Sequence, residues 1–184
     1  MFEIDGFVAD CRTSLQESAP QLAIRQIVER AVSEPGEVER ALGTPKRAQI
    51  QVLHRSPDLT VLNLIWGPRM FLYPHDHRMW AVIGLYGGAE DNVFYRRTAP
   101  GLVEAGGKRL EGSDAILLGE TVIHSVQNPR DQLTGAIHVY GGDFFGVPRS
   151  EWDPTTLTER PYDVENVKRL FEESNERLRP ESGD

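Results

Sequence analysis

The chain predicts a mainly β fold, an antiparallel sandwich or barrel with helices at both ends. Three observations carry this. Between residues 48 and 147, short segments rich in β-branched and aromatic residues follow one another, most separated by Gly, Pro, Asn or Asp. No segment of useful helical length interrupts them, which argues against a parallel α/β sheet. Before residue 46 and after residue 163 the apolar residues recur at helical spacing instead.

The elements read in order as follows. Residues 1–46 are helical. In "APQLAIRQIVERAVSE" the residues Leu22, Ile24, Ile27, Val28, Ala31 and Val32 form a stripe, with Ser18 as the N-cap and Pro35-Gly36 as the stop. "GEVERAL" adds a short helix before Gly43 and Pro45. The strands are "AQIQVLHR", "LTVLNLIW", "WAVIGLYG", "DNVFYRR", "AILLG", "VIHSVQN" and "LTGAIHVYGG", with turns and a hairpin in "TAPGLVEAGGKRLEGSD". "SEWDPTTLTERPYD" reads as an irregular connector. "GVPRSEWD" and the helix after it are expected to cap the sheet edge rather than the barrel mouth. "DVENVKRLFEESNERLR" is an amphipathic helix with Val164, Val167, Leu170, Phe171 and Leu178 on its apolar side, and "PESGD" reads as a disordered tail. The basic "YRR" at 95–97 reads as a solvated face, and Trp66, Trp80, Tyr86 and Phe94 as core.

The 184 residues suit one domain, divided into a helical segment (1–46), a β-barrel (48–147), and a connector with the C-terminal helix (148–184). A net charge of -8 argues against nucleic acid or an anionic membrane as the main partner. A small anionic substrate stays possible, because local charge in a pocket can oppose the global sign. Cys11 is the single cysteine, so no internal disulfide forms, which suits a reducing cytoplasm. No basic segment followed by an apolar run opens the chain, and no apolar run approaches the roughly 20 residues that span a bilayer.

The histidines carry the chemistry. "FLYPHDHRMW" holds His75 and His77 two apart, so on a strand both imidazoles point to one side. His124, in "GETVIHSVQN", is the best third member. Three neutral imidazoles suit a borderline divalent ion such as Fe(II), Zn, Ni or Cu, not the oxygen-seeking Mg or Ca. Three protein ligands leave positions open, as in a catalytic centre. His138 and Tyr140, in "AIHVYGGD", also share a face. Spacing alone leaves two readings of that pair: a polar couple beside the metal, or core residues satisfied by nearby backbone.

"PHDHRMW", "GETVIHSVQN" and "AIHVYGGD" together resemble the cupin superfamily and, within it, the thiol dioxygenases related to cysteine dioxygenase. The resemblance covers residues 48–147 and implies a double-stranded β-helix, a jelly-roll barrel. Gly67, His75, His77 and Gly87 or Gly88 match the first cupin motif; Gly119, His124 and Asn128 match the second. The acidic ligand of most cupins would fall at Ala81 or Val82 and is missing. Thiol dioxygenases lack it too and bind Fe(II) through three histidines. Glu90 lies too far along to replace it. Trp66 falls where the family has a tryptophan. The family's Ser-x-His-x-Tyr element is matched by His138 and Tyr140, with Ala136 in place of the serine. Val82 stands where animal members carry a cysteine that crosslinks to the tyrosine, so no crosslink forms.

The resemblance implies a three-histidine Fe(II) dioxygenase taking a small thiol carboxylate and O2 to a sulfinate, with His138 and Tyr140 beside the reacting atoms. Its carboxylate-gripping arginine maps onto "QIQVLHRSPD", where Gln51, His54 and Arg55 are the candidates. Two other readings keep the fold: a cupin metalloenzyme of a non-thiol substrate, and a non-catalytic cupin that binds a small molecule.

Overall fold

The computed structural model describes residues 1–99 and 101–178. The chain begins with three helices, α1 (Ile4–Ser14), α2 (Pro20–Val32) and α3 (Pro35–Leu42). Eleven strands follow: β1 (Gln49–Arg55), β2 (Thr60–Trp66), β3 (Phe71–Asp76), β4 (Ala81–Gly87), β5 (Ala89–Arg97), β6 (Leu102–Glu111), β7 (Ala115–Leu118), β8 (Ile123–Gln127), β9 (Thr134–Tyr140), β10 (Ser150–Trp152) and β11 (Glu159–Pro161). Helix α4 (Val164–Arg177) closes the described chain. The disorder expected of "PESGD" lies outside the described residues.

The strands form two antiparallel sheets, ordered β1-β2-β9-β4-β7 and β11-β10-β3-β8-β5-β6. From β2 to β5 and from β6 to β10 each strand lies in the sheet opposite its predecessor. The chain therefore winds around a common interior, as a double-stranded β-helix does. The predicted fold class is the one observed: mainly β, in two antiparallel sheets, with helices at each end.

Two apolar clusters follow from strand parity. One fills the space between the sheets, with Leu62, Leu64, Trp66, Leu72, Ile83, Leu85, Val126, Val167 and Phe171. The other lies on the outer face of the first sheet, where Val61, Ile65, Val82, Ile137 and Val139 meet Ile24, Val28 and Val32 of α2. Strands β2, β4 and β9 are thus covered on both faces, and β2 and β9 are buried along their whole length. Gly84 lets α2 approach: a Cβ there would lie 2.4 Å from the Val28 side chain.

Several expectations need correcting. Ser18 does not cap α2; Ala19 is the N-cap, and Pro20 starts the helix with its fixed φ. Pro35 does not merely end α2 but opens α3 in the same way. Leu22 is exposed, off the stripe that faces the sheet. The "irregular connector" contains β10 and β11, a hairpin laid against β3 through Glu151 opposite His75. Three-residue strands are too short to show an alternation. Within this hairpin Arg160 donates to the buried Glu151 at 2.7 Å. Arg97 of the "YRR" run is no free solvated charge. It pairs with Glu159 and lies over Trp152, clasping the hairpin.

Candidate metal centre

His75 is the penultimate residue of β3, and His77 lies one residue beyond the strand end. Pro74 has no N–H for the ladder, and the β3–β8 register shifts between Leu72 and His75. Beyond this irregularity His75 pairs directly with His124 of β8. The two histidines come from separate chain segments, yet register sets them side by side.

The structure brings the three imidazoles together. His75 Nε2 lies 3.2 Å from His77 Nε2, which lies 3.3 Å from His124 Nε2. Ligand atoms of all three fall within 4.8 Å of one another, and all three residues are buried. Nitrogens each about 2.1 Å from one ion would be about 3.0 Å apart at octahedral angles and about 3.4 Å at tetrahedral ones. The spacing fits one cation.

Proton placement fits as well. His75 Nδ1 is 2.8 Å from the Tyr73 carbonyl, which can only accept, so Nδ1 carries the hydrogen. His124 Nδ1 donates to Asn92 Oδ1 at 2.7 Å. In both rings Nε2 is then a lone pair turned inward. Burial pushes His75 down to about 4, and pushes His77 and His124 well below the ordinary range, with the neighbouring imidazoles adding to the effect. Converging neutral lone pairs with little water are a ligand set for a divalent ion. Glu90 does not reach it: its carboxylate accepts from Trp66 Nε1 at 2.8 Å and from Asn92 Nδ2 at 2.9 Å.

His138 and Tyr140 stand beside this cluster. His138 Nδ1 and the Tyr140 hydroxyl are hydrogen-bonded at 2.9 Å, and the Tyr140 ring meets His77 edge-on at 5.1 Å. Burial raises the phenol above its usual range and pushes His138 down to about 3, so both are neutral. His138 Nε2 is buried without a partner. Ala136 shares the inward face of β9 two residues away and offers no hydroxyl there.

The cavity around these groups has a volume of about 30 Å³ and is walled by Leu62, Leu64, Trp66, Leu72, Val126 and Phe171. Tyr162, Val167 and Phe171 bring the C-terminal segment across its mouth. Edge-capping describes the β10–β11 hairpin, but α4 covers the opening. Outside it lies a groove of about 370 Å³, sharing Ile50, Phe144, Tyr162, Val167 and Phe171 as walls.

None of the three candidates on β1 lines the cavity. Ile50 faces it, so Gln51 points the other way, where it accepts from Asn63 Nδ2 at 3.1 Å. A register shift separates Val52 from His54, whose Nε2 is 3.2 Å from Ser56 Oγ. Arg55 forms a two-pronged ion pair with Asp143 at 2.8 and 2.9 Å. The cation near the site is instead Arg149, which sequence reasoning missed. Its guanidinium lies 3.7 Å from the centre of the Phe144 ring and 4.1 Å from that of Tyr162, and its Nη1 is buried without a partner. Nothing periodic marks "GVPRSEWD". Asn92 and Glu90 were legible in principle: Glu90, Asn92 and Phe94 alternate, polar residues in phase with an inward aromatic.

No protein-family model matches the chain. Among solved structures, the chain is similar to an RmlC-like cupin family protein with a double-stranded β-helix fold from Methanocaldococcus jannaschii. The identity is 8% over 56% of this chain and 87% of that one, with a TM-score of 0.47. It is also similar to a conserved protein with a double-stranded β-helix domain from Klebsiella pneumoniae, at 12% identity over 54% and 76%, TM-score 0.44. A variant of Bacillus subtilis oxalate decarboxylase matches at 14% identity over 48% of this chain and 22% of that one, TM-score 0.40. The fold assignment rests on strand order and register, not on these likenesses. Among the described residues, no helix is long and apolar enough to cross a membrane.

Proposed function

We propose that the protein is a mononuclear non-haem Fe(II) dioxygenase that oxidises a small thiol carboxylate, of the cysteine or 3-mercaptopropionate type, to its sulfinate. One observation carries the reading. Three buried neutral imidazoles bring their Nε2 atoms together with no carboxylate among them, beside a buried His–Tyr pair. The net reaction is RS⁻ + O2 → RSO2⁻. Two S–O bonds form and the O–O bond breaks; sulfur gives up four electrons and dioxygen takes four, so no outside reductant is consumed. A ferrous ion held by His75, His77 and His124 would supply the redox chemistry that joins thiolate and dioxygen.

The chain's own residues do the rest. Tyr140, kept protonated by burial, offers a hydroxyl to oxygen or sulfur beside His77. His138 Nδ1 holds that hydroxyl in place. Arg149, which lines the outer groove with an unpartnered Nη1 and aromatic rings on two sides, would grip the substrate carboxylate there. Leu62, Leu72, Val126, Val167 and Phe171 keep water out.

Metal analysis of protein purified without added metal, then oxygen uptake with iron restored, tests the reading. A panel of thiols and non-thiols is expected to show uptake only with thiol acids, with sulfinate as product. His124→Ala is expected to lose both iron and turnover. Full iron content and turnover in that variant, or metal binding with no thiol-dependent uptake, would sink the proposal.

A further inference from the structure

His124 is tied to a chain of buried polar groups that the reaction does not use. Its Nδ1 faces Asn92 Oδ1 at 2.7 Å, Asn92 Nδ2 faces Glu90 Oε1 at 2.9 Å, and Glu90 Oε2 faces Trp66 Nε1 at 2.8 Å. Glu90, Asn92, His124 and Trp66 are each no more than 2% exposed. A carboxylic acid wholly inside a barrel is costly unless its oxygens are satisfied, so its placement calls for an explanation.

The donor types give the chain a direction. An indole N–H can only donate, so Glu90 Oε2 must accept. Burial raises the Glu90 carboxyl to about 7 against the pull of its two donors; above that range it is ionised and can only accept, so the neighbouring amide must turn its NH2 group toward Oε1. That leaves Asn92 Oδ1, an acceptor, facing His124. His124 must then carry its hydrogen on Nδ1 and keep Nε2 as the lone pair turned toward His77. We propose that Glu90 is a positioning residue for the metal: acting through the Asn92 amide, it holds His124 in the one tautomer that can ligate. The inference rests on the metal reading of the three histidines, but its first consequence, the tautomer, exists in the metal-free protein.

The proposal predicts what each substitution does. Glu90→Gln can accept from Trp66 only by presenting its own NH2 to Asn92. The Asn92 amide then turns over, its NH2 faces His124 Nδ1, and the imidazole hydrogen moves to Nε2, where it blocks ligation. The double variant Glu90→Gln/Asn92→Asp undoes this. The introduced glutamine amide donates to one oxygen of the introduced aspartate, and the other oxygen again accepts from His124 Nδ1. The network keeps one negative charge, moved by one link.

Two measurements on the full-length chain test this. Ring-nitrogen NMR of metal-free protein at about pH 8.5, above the raised range of the Glu90 carboxyl, reads the His124 tautomer, and zinc(II) competition against a chromophoric chelator at the same pH reads affinity. Native protein is expected to show the Nδ1–H form. Glu90→Gln is expected to show the Nε2–H form and a roughly 10- to 100-fold weaker site, the usual loss when an outer hydrogen-bond partner of a ligand is removed. The double variant is expected to return both readouts to within a few-fold of native. A purely structural role for Glu90 predicts the opposite, a double variant worse than either single one. Asn92→Ala, which leaves the carboxylate intact, is expected to free His124 to populate both tautomers. Unchanged tautomer in Glu90→Gln and Asn92→Ala, or no rescue in the double variant, overturns the proposal. Failure of native protein to bind zinc would sink the metal reading instead, with the tautomer still deciding the inference.

Discussion

Arg149→Met tests the proposed grip on a substrate carboxylate separately from the chemistry. Methionine keeps an apolar stem between Phe144 and Tyr162 but removes the charge and the fork of donors. A hydrogen bond to a charged group contributes roughly 1.5–3 kcal/mol net. Among the described residues Nη1 has no competing partner, so little of that is offset by breaking an existing bond. Taking about 2–3 kcal/mol for the lost contact gives roughly a 30- to 150-fold fall in kcat/KM for a thiol acid, at 1.36 kcal/mol per tenfold. A thiol amine without a carboxylate should lose far less, since it never used the fork. The assay is oxygen consumption by iron-loaded enzyme with 3-mercaptopropionate and with 2-aminoethanethiol. The ratio of the two kcat/KM values is the quantity to compare, because damage to iron binding lowers both together. A ratio unchanged from native would show that Arg149 does not touch the carboxylate. Arg149→Lys should recover part of the loss, having charge without the planar fork.

Two further outcomes follow from the buried imidazoles. Ala136→Ser adds a hydroxyl on the inward face of β9 that His138 also occupies; pairing with the buried Nε2 is expected to raise stability by about 1 kcal/mol in urea unfolding, and a gain that persists in a His138→Phe background would refute the pairing. Metal-free protein is expected to lose stability as pH falls from about 7 to 5. The unfolded chain binds protons on histidines near pH 6.5, whereas His75 in the folded chain is held down to about 4 and His138 to about 3. At pH 5 His75 alone then accounts for about 2 kcal/mol. Glu90, raised to about 7 by burial, works the other way between about 4.5 and 7, but one carboxyl faces four buried imidazoles. A urea midpoint that does not fall over this range would show that the histidines are not buried neutral.

The barrel and the gathering of three histidines were legible because both follow from local sequence, the composition of the strands and a spacing of two. Short runs rich in β-branched and aromatic residues between turn residues, such as "LTVLNLIW" and "LTGAIHVYGG", mark strands, and a spacing of two puts His75 and His77 on one side. The third histidine could be chosen because it lies in a strand context of its own. What failed depended on register and on irregular chain. Whether Gln51 or Ile50 faces inward is a matter of one residue of parity, and a bulge before His54 shifts the phase again. Arg149 lies between strands, where no pattern points a side chain anywhere. Glu90 was dismissed as a ligand because of its distance along the chain. Pairing of Phe94 with His124 brings Asn92 diagonally beside the imidazole, and with it a role for Glu90 that is not ligation.

Charge balance ties these residues to the kind of substrate proposed. A divalent ion held by three neutral imidazoles keeps its full charge of +2 inside a low-dielectric cavity, where unbalanced charge is costly. Glu90, fully buried and two hydrogen bonds away through Asn92, supplies one negative charge. A cation so placed would also favour the ionised form of that carboxyl against the upward push of burial. A thiolate supplies the second. The carboxylate of the proposed substrate would add a third, which Arg149 in the adjoining groove would cancel. The sum is then zero with a thiol acid bound, and positive with an uncharged ligand in its place. A ligating carboxylate in the first cupin motif would have upset this sum by one. Ala81 and Val82 stand where it would be, and the negative charge sits instead at Glu90, behind the histidine rather than on the ion.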